Sequence, residues 1–214
     1  MVRDGAGWWT EQVVPRLVDA SLSAAPVGRL RARACAGLHG RVLEIGFGSG
    51  LNLPHLPAAV TALDAVEPAD LAWERSAGRR AAAPLEVART GLDGERLAAP
   101  DGSYDAVLCT FTLCTVPDPA RALAEARRVL RPGGALHLLE HGLAPGRRVR
   151  GWQRRLEPLQ GRAFGGCHLT RDVLALVRAA GLVPDLVHQA YVATGPARPW
   201  SYVTVVRAAR DAVA

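Results

Sequence analysis

A doubly wound α/β sheet, mostly parallel and finished by one antiparallel strand, is the fold this sequence predicts. Three observations predict it. Short apolar runs alternate with helical periodicities from residue 41 onward, the first run hands over to a glycine-rich turn, and the chain closes on two strand-like runs near enough to form a hairpin. The 214 residues, 49% hydrophobic and 21% charged, suit one globular unit with a full core.

Two helical patches, about 8–22 and 26–36, precede the alternation. Arg41 to Ile45 is the first strand and Val60 to Val66 the second, which stops at Glu67-Pro68 where proline blocks continuation. Pro84 to Ala88 reads as a short third strand, and Tyr104 to Cys109 as a fourth after the turn Asp101-Gly102-Ser103. Asp118 can cap the next helix and Pro119 suits its first turn. Ala122, Leu123, Ala126, Val129 and Leu130 supply its apolar stripe. Arg131-Pro132-Gly133-Gly134 ends that helix, and Ala135 to Glu140 is a fifth strand. Thr170 is placed to cap a helix to about Ala180, closed by Gly181. Leu186 to Ala193 and Ser201 to Arg207 form the terminal hairpin around Gly195-Pro196.

The net charge is +6, and every basic residue is arginine. Arg147, Arg148, Arg150, Arg154, Arg155 and Arg162 cluster against the single acid Glu157, either as a solvated helix face or as a contact for an anionic substrate or lipid headgroup. Nucleic acid is disfavoured as a partner, because Trp152 is the only stacking aromatic in that segment. No uncharged apolar run reaches the roughly 18 residues of a membrane span, and the N-terminus lacks the apolar core of a secretory signal, so the cytoplasm is the expected location. Cys35, Cys109, Cys114 and Cys167 include no C-x-x-C pair; they read as free thiols, and no metal is expected from their spacing.

The chemistry-bearing residues collect at strand ends. Glu44-Ile45-Gly46-Phe47-Gly48-Ser49-Gly50 carries the chain out of the first strand, and its glycines allow a ligand close to the backbone. A dinucleotide fingerprint would need glycine where Leu51 stands, and a Tyr-x-x-x-Lys pair is impossible without lysine. Glu67 ends the second strand, where a carboxylate can accept both hydroxyls of a ribose. Asp64, inside that strand, reads as a solvent-facing edge residue. Asp93 and Gly94 come after the third strand, placed to meet an adenine edge.

Val42 to Gly50, Glu67-Pro68, Asp93 to Leu97, Asp101 to Asp105 and Val129 to Gly134 together resemble the ordered motifs of class I methyltransferases dependent on S-adenosylmethionine (SAM), of the methyltransferase type 11-like kind. The resemblance spans about residues 41–141. It implies a Rossmann-like sheet with strand order 3-2-1-4-5-7-6, SAM as cofactor, and Glu44, Gly46, Phe47, Gly48, Gly50, Asn52, Glu67, Pro68, Asp93, Gly94 and Thr110 around it. Residues 39–141 would then be the SAM-binding core of a single domain 1–214, with 1–38 a helical cap and 142–214 substrate-side helices and the hairpin. A narrower resemblance, on Cys109 to Val116, Leu139-Glu140-His141, Arg155-Leu156-Glu157-Pro158 and Gly166 to Arg171, is to the thiol S-methyltransferases of animals. Those carry an N-terminal membrane anchor that this sequence lacks, so no stable membrane anchor is expected.

What the resemblance implies is methyl transfer to a small-molecule acceptor: a thiol, or else a phenolic, quinone or lipid-amine group. A non-catalytic SAM-binding module is the remaining alternative. A thiol is only a few per cent ionised near neutral pH, so a base would help, and His141 is the candidate, oriented by Glu140; the alternative is that His141 hydrogen-bonds a loop and proximity alone drives transfer. His168 and Cys167 are weaker candidates for the base, since they sit at a helix start where capping explains a polar pair. Trp8, Trp9 and Phe164 are either walls of the acceptor pocket or, as aromatics at such places more often are, core.

Overall fold

The computed structural model describes Val13, Arg16, Asp19 and residues 21–211; the expected helical patch at 8–22, with Trp8 and Trp9, lies almost entirely outside the described residues. The strands are Gly40–Ile45 (β1), Val60–Val66 (β2), Val87–Gly91 (β3), Tyr104–Thr110 (β4), Leu130–His141 (β5), Leu182–Tyr191 (β6) and Tyr202–Arg210 (β7). They form one sheet in the order β3-β2-β1-β4-β5-β7-β6. The first five run parallel, and β7 runs antiparallel to both β5 and β6. That is the implied order with its one reversed strand.

The helices are Ala25–Cys35 (α1), Asp70–Arg75 (α2), Ala77–Ala82 (α3), Pro119–Val129 (α4), Arg147–Ala163 (α5), Val173–Ala179 (α6) and Arg198–Ser201 (α7). Alternation along β1 shows why its sequence is a continuous apolar run. Val42 packs into one core with Leu38, Leu63 and Leu108, while Leu43 packs into the other with Val107, Leu123 and Leu136. The stripe of α4 lies on the second of these cores, and the Asp118 carboxylate accepts the Arg121 N–H at 3.0 Å, as a cap should.

Several expectations shift. β3 begins three residues later than expected, since Pro84 has no N–H to give a ladder and the pairing starts at Val87 opposite Leu63. β5 starts earlier, at Leu130 opposite Tyr104. The cap of α6 is Asp172, whose carboxylate accepts the Ala175 N–H at 3.1 Å, rather than Thr170. The hairpin strands are longer than expected, and α7 fills their connection. Asp64 is no edge residue: β2 lies between β1 and β3, so Asp64 is buried and accepts from Tyr104 Oη at 2.8 Å and Arg41 Nη2 at 2.6 Å. The arginine-rich segment is α5, an exposed helix face held down by buried Gln153, which bonds Ala144 N, Gly142 O and Pro199 O at 2.9 to 3.0 Å.

Candidate active site

A cavity of about 1080 Å³ lies over the carboxyl ends of β1, β2, β4 and β5, bounded there by Ile45, Gly46, Val66, Glu67, Thr110 and His141. This is where an open parallel sheet, with its strand order reversing at β1, offers a crevice. Of the residues anticipated from the sequence, Gly46, Phe47, Gly48, Glu67, Pro68, Asp93, Gly94, Thr110 and His141 line it, as does Phe164. Glu44, Gly50, Asn52 and Glu140 do not; they lie behind the lining.

The turn after β1 is shaped by glycine. Gly46 has φ +76°, and a Cβ there would overlap the Thr112 side chain, so β1 and the loop after β4 touch. Gly48, at φ +58°, has nothing within 4 Å of a Cβ position and gives its backbone to the cavity. Glu67 holds this turn: its two carboxylate oxygens accept the Gly48 N–H at 2.6 Å and the Ala69 N–H at 2.8 Å. Burial pushes the Glu67 carboxyl above its ordinary pKa, while those N–H groups and Arg89 oppose the rise. Asp93 accepts the Glu95 N–H at 2.8 Å, which shapes the loop that brings Gly94 to the wall.

The middle of the cavity contains a cation that no sequence motif announces. Arg31, on α1, is 4% exposed and donates from Nη1 to Asn52 Oδ1 at 2.8 Å and Thr110 Oγ1 at 2.9 Å. Asn52 in turn donates to Glu44 Oε1 at 2.7 Å. Burial lowers the Arg31 pKa and neighbouring Glu44 restores part of it; a guanidinium stays charged throughout. Its Nε is buried and, among the described residues, has no hydrogen-bond partner, although the residue lines the cavity. Burial pushes Glu44 up to about 8, against the Asn52 bond and the Arg31 charge. Arg31 has no signal of its own in the sequence, being one of many arginines on a helix with no motif.

The far end is mostly apolar, its polar groups including His141, Cys114, Cys167 and Gln160, whose Nε2 donates to Cys167 Sγ at 3.5 Å. Leu159, Phe164, Trp200, Val192 and Val203 wall it. His141 ends β5, and its Nε2 lies 3.0 Å from Cys167 Sγ, in the loop before α6. Cys114, in the loop after β4, also lines the cavity beside them. A hydrogen bond from Cys114 holds the Cys167 thiol well below its usual pKa, assisted by His141; burial works against both. Burial lowers the His141 pKa, but the Cys167 contact outweighs that and leaves it raised. The contact favours the ionised form of both groups, the thiolate of Cys167 and the protonated ring of His141. Cys167 is thus not merely part of a helix start.

Among the described residues, no hydrogen bond joins Glu140 to His141, contrary to the expected orienting contact; what couples them is charge. Adjacent strand residues point to opposite faces, and Glu140 Oε1 instead accepts the Thr112 and Leu113 N–H groups at 2.6 and 2.7 Å. It fixes the loop after β4, which turns on Phe111 at φ +53°. All four cysteines are buried and unbridged.

Residues 43–138 match the family described as a methyltransferase domain. Human thiol S-methyltransferase TMT1A is 35% identical over 181 residues, covering 80% of this chain and 73% of that protein. The chain belongs to the class I SAM-dependent methyltransferases. Human thiol S-methyltransferase TMT1B is 38% identical over 147 residues; the chain spans 59% of its length, and 55% of the rat protein's. Among solved structures, a SAM-dependent methyltransferase of Thermotoga maritima matches with a TM-score of 0.67 at 21% identity, over 96% of this chain and all of that one, a likeness of fold. SAM is the cofactor that family and fold imply. The unpartnered Arg31 Nε suits its carboxylate and the open backbone at Gly48 suits its close approach, so the residues present fit that molecule. Among the described residues, no helix is long and apolar enough to cross a membrane.

Proposed function

We propose that this chain transfers a methyl group from SAM to a small apolar thiol. The observation that carries the proposal is one continuous cavity that runs from the Glu67 carboxylate, past the Arg31 guanidinium, to the His141–Cys167 pair under an apolar wall. In this reading Glu67 accepts the ribose hydroxyls, Asp93 and Gly94 meet the adenine edge, and Phe47 and Pro68 pack beside the nucleoside. Arg31 pairs with the carboxylate of the amino-acid end, and Thr110 with Asn52, Glu44 and Gly50 behind it shape that floor. Bound SAM supplies an electrophilic methyl group on a sulfonium, so the protein's task is mainly to hold a nucleophile in line, at roughly 3–3.5 Å.

The acceptor must lose a proton. We assign it to the His141–Cys167 pair, whose Nε2 and Sγ lie 3.0 Å apart on the wall of the cavity. The thiol preference is supported by the apolar wall and by the similarity to thiol S-methyltransferases. The test is a panel of alkyl thiols, phenols and amines, each incubated with protein and SAM, with S-adenosylhomocysteine as readout. Turnover of thiols is expected. Turnover confined to phenols or amines overturns the thiol assignment, and no turnover with any acceptor despite tight SAM binding would leave a binding module.

A further inference from the structure

We propose that Cys114, His141 and Cys167 form a three-donor site for a thiophilic divalent cation of the zinc class, with its open fourth position turned into the acceptor end of the cavity. Cys114 Sγ, Cys167 Sγ and a ring nitrogen of His141 all lie within 4.8 Å of one another. His141 Nε2 and Cys167 Sγ are 3.0 Å apart. Tetrahedral zinc, with bonds of about 2.3 Å to sulfur and about 2.0 Å to nitrogen, spaces such donors roughly 3.4–3.8 Å apart. That spacing lies between the 3.0 Å contact and the 4.8 Å bound, so side-chain adjustments of up to roughly 1 Å seat an ion.

The donors come from three separate segments, with His141 placed 27 residues after Cys114 and Cys167 placed 26 after His141. No linear motif could announce them, and the fold ties their backbones together. His168 N donates to Cys114 O at 2.8 Å, and Arg171 Nη1 donates to Leu113 O. Glu140 fixes the Thr112 and Leu113 amides, and Glu157 accepts His168 Nδ1 and Leu169 N, both at 2.8 Å. The loops that present the two thiols are therefore positioned whether or not an ion is bound. Two sulfurs and an imidazole, with no carboxylate among them, select a soft or borderline cation over magnesium or calcium. Two protein thiolates and a neutral imidazole leave one coordination position, as catalytic rather than structural zinc sites do, and all three residues line the cavity.

This inference rests on the thiol reading and deepens it. At the open position an acceptor R–SH binds as R–S⁻, forming a metal–sulfur bond, displacing water and releasing one proton to solvent. After methyl transfer the neutral thioether R–S–CH₃ is a weak ligand and departs. With the ion bound, His141 acts as a ligand, and the ion takes over from the His141–Cys167 pair the task of ionising the acceptor.

The test is Co²⁺ titration of the full chain, stripped with a chelator and kept under a non-thiol reductant. One equivalent should bind and give a thiolate-to-cobalt charge-transfer band with tetrahedral ligand-field bands, and an alkyl thiol should shift them. Cys114→Ser, Cys167→Ser and His141→Ala should each weaken Co²⁺ binding at least about tenfold, while Cys35→Ser retains it; calorimetry with S-adenosylhomocysteine verifies that each variant is folded. A wild-type protein that binds S-adenosylhomocysteine yet shows no band, or a band that survives loss of both Cys114 and Cys167, overturns the site. Thiol turnover without a band means that the thiol reading stands and the ion site fails. A band that no thiol shifts, with no thiol turnover, means the reverse.

Discussion

Arg31→Met is the substitution that most directly probes how the cavity recognises its cofactor. Arg31 is a buried cation on the cavity wall, and among the described residues its Nε has no hydrogen-bond partner. A hydrogen bond to a charged group contributes about 1.5–3 kcal/mol, and each 1.4 kcal/mol is about a factor of ten in affinity. Losing the pairing with a carboxylate should thus weaken S-adenosylhomocysteine binding roughly 10- to 150-fold. The substitution also removes the donor to Asn52 Oδ1, whereas Thr110 Oγ1 keeps its bond from Asn52 Nδ2 at 2.9 Å. One stranded acceptor costs about 1–3 kcal/mol of stability, visible in a thermal melt. The decisive control is methylthioadenosine, which has the nucleoside and sulfur but no carboxylate. Calorimetry on both proteins should show its affinity unchanged within about a factor of two to three. If methylthioadenosine loses as much as S-adenosylhomocysteine, Arg31 supports the floor generally, and the carboxylate assignment is wrong.

The geometry sets three further outcomes. Glu67→Gln should weaken methylthioadenosine and S-adenosylhomocysteine alike, by about tenfold or more, because the ribose is common to both and the new amide faces the Gly48 or Ala69 N–H; an effect on only one ligand would contradict this. Gly46→Ala combines a left-handed backbone at φ +76° with overlap on Thr112, and should cost at least about 1 kcal/mol and lower Tm by about 2–4 °C or more; an unchanged melt would show that the loop after β4 is free to move away. Phe164→Ala should raise KM for a bulky alkyl thiol roughly 5- to 30-fold with little change in kcat, as expected for about 1–2 kcal/mol of lost apolar burial; equal effects on small and large thiols would take Phe164 off the acceptor wall.

Strand-end residues are legible in the sequence because their context is local. Gly46, Gly48 and Glu67 come directly after apolar runs, and an apolar run that meets glycine or proline can end in few ways. Long-range contacts are not legible. Asp64 reads as an edge residue because alternation gives a residue's face but not whether another strand covers it; the partners that bury it are Arg41 and Tyr104, 23 and 40 residues away. Glu140 and His141 are neighbours in sequence, which suggests cooperation, yet the pleat sends one to the loop after β4 and the other to Cys167. Arg31 and Cys167 reach the site from outside the strand–turn motifs, one on α1 and one in the loop before α6, so only the assembled sheet reveals them.

Beneath the cavity, the arrangement of Glu44 and Arg31 has a consequence for binding itself. A buried carboxyl pushed up to about 8 favours the protonated form at neutral pH, and among the described residues Glu44 Oε2 has no hydrogen-bond partner. SAM carries an ammonium beside its carboxylate. As Arg31 takes the carboxylate, its charge is partly neutralised, and the ammonium adds a positive charge near Glu44. The ammonium favours the ionised form of Glu44, and the neutralisation of Arg31 favours the protonated one. The ammonium is the closer match to a free carboxylate oxygen, so the net expectation is proton release on binding. With a pKa of about 8 in the free protein, the release at pH 7 is at most roughly 0.9 of a proton. Affinity should then rise with pH up to about 8 and level off above it, once Glu44 is already ionised before the ligand arrives. Calorimetry of S-adenosylhomocysteine binding in buffers of different ionisation enthalpy counts these protons, and Glu44→Gln should remove them while preserving an acceptor for Asn52 Nδ2. The same proton count in wild type and Glu44→Gln would assign the linkage to another group, and proton uptake in place of release would mean that the neutralised Arg31 charge outweighs the incoming ammonium.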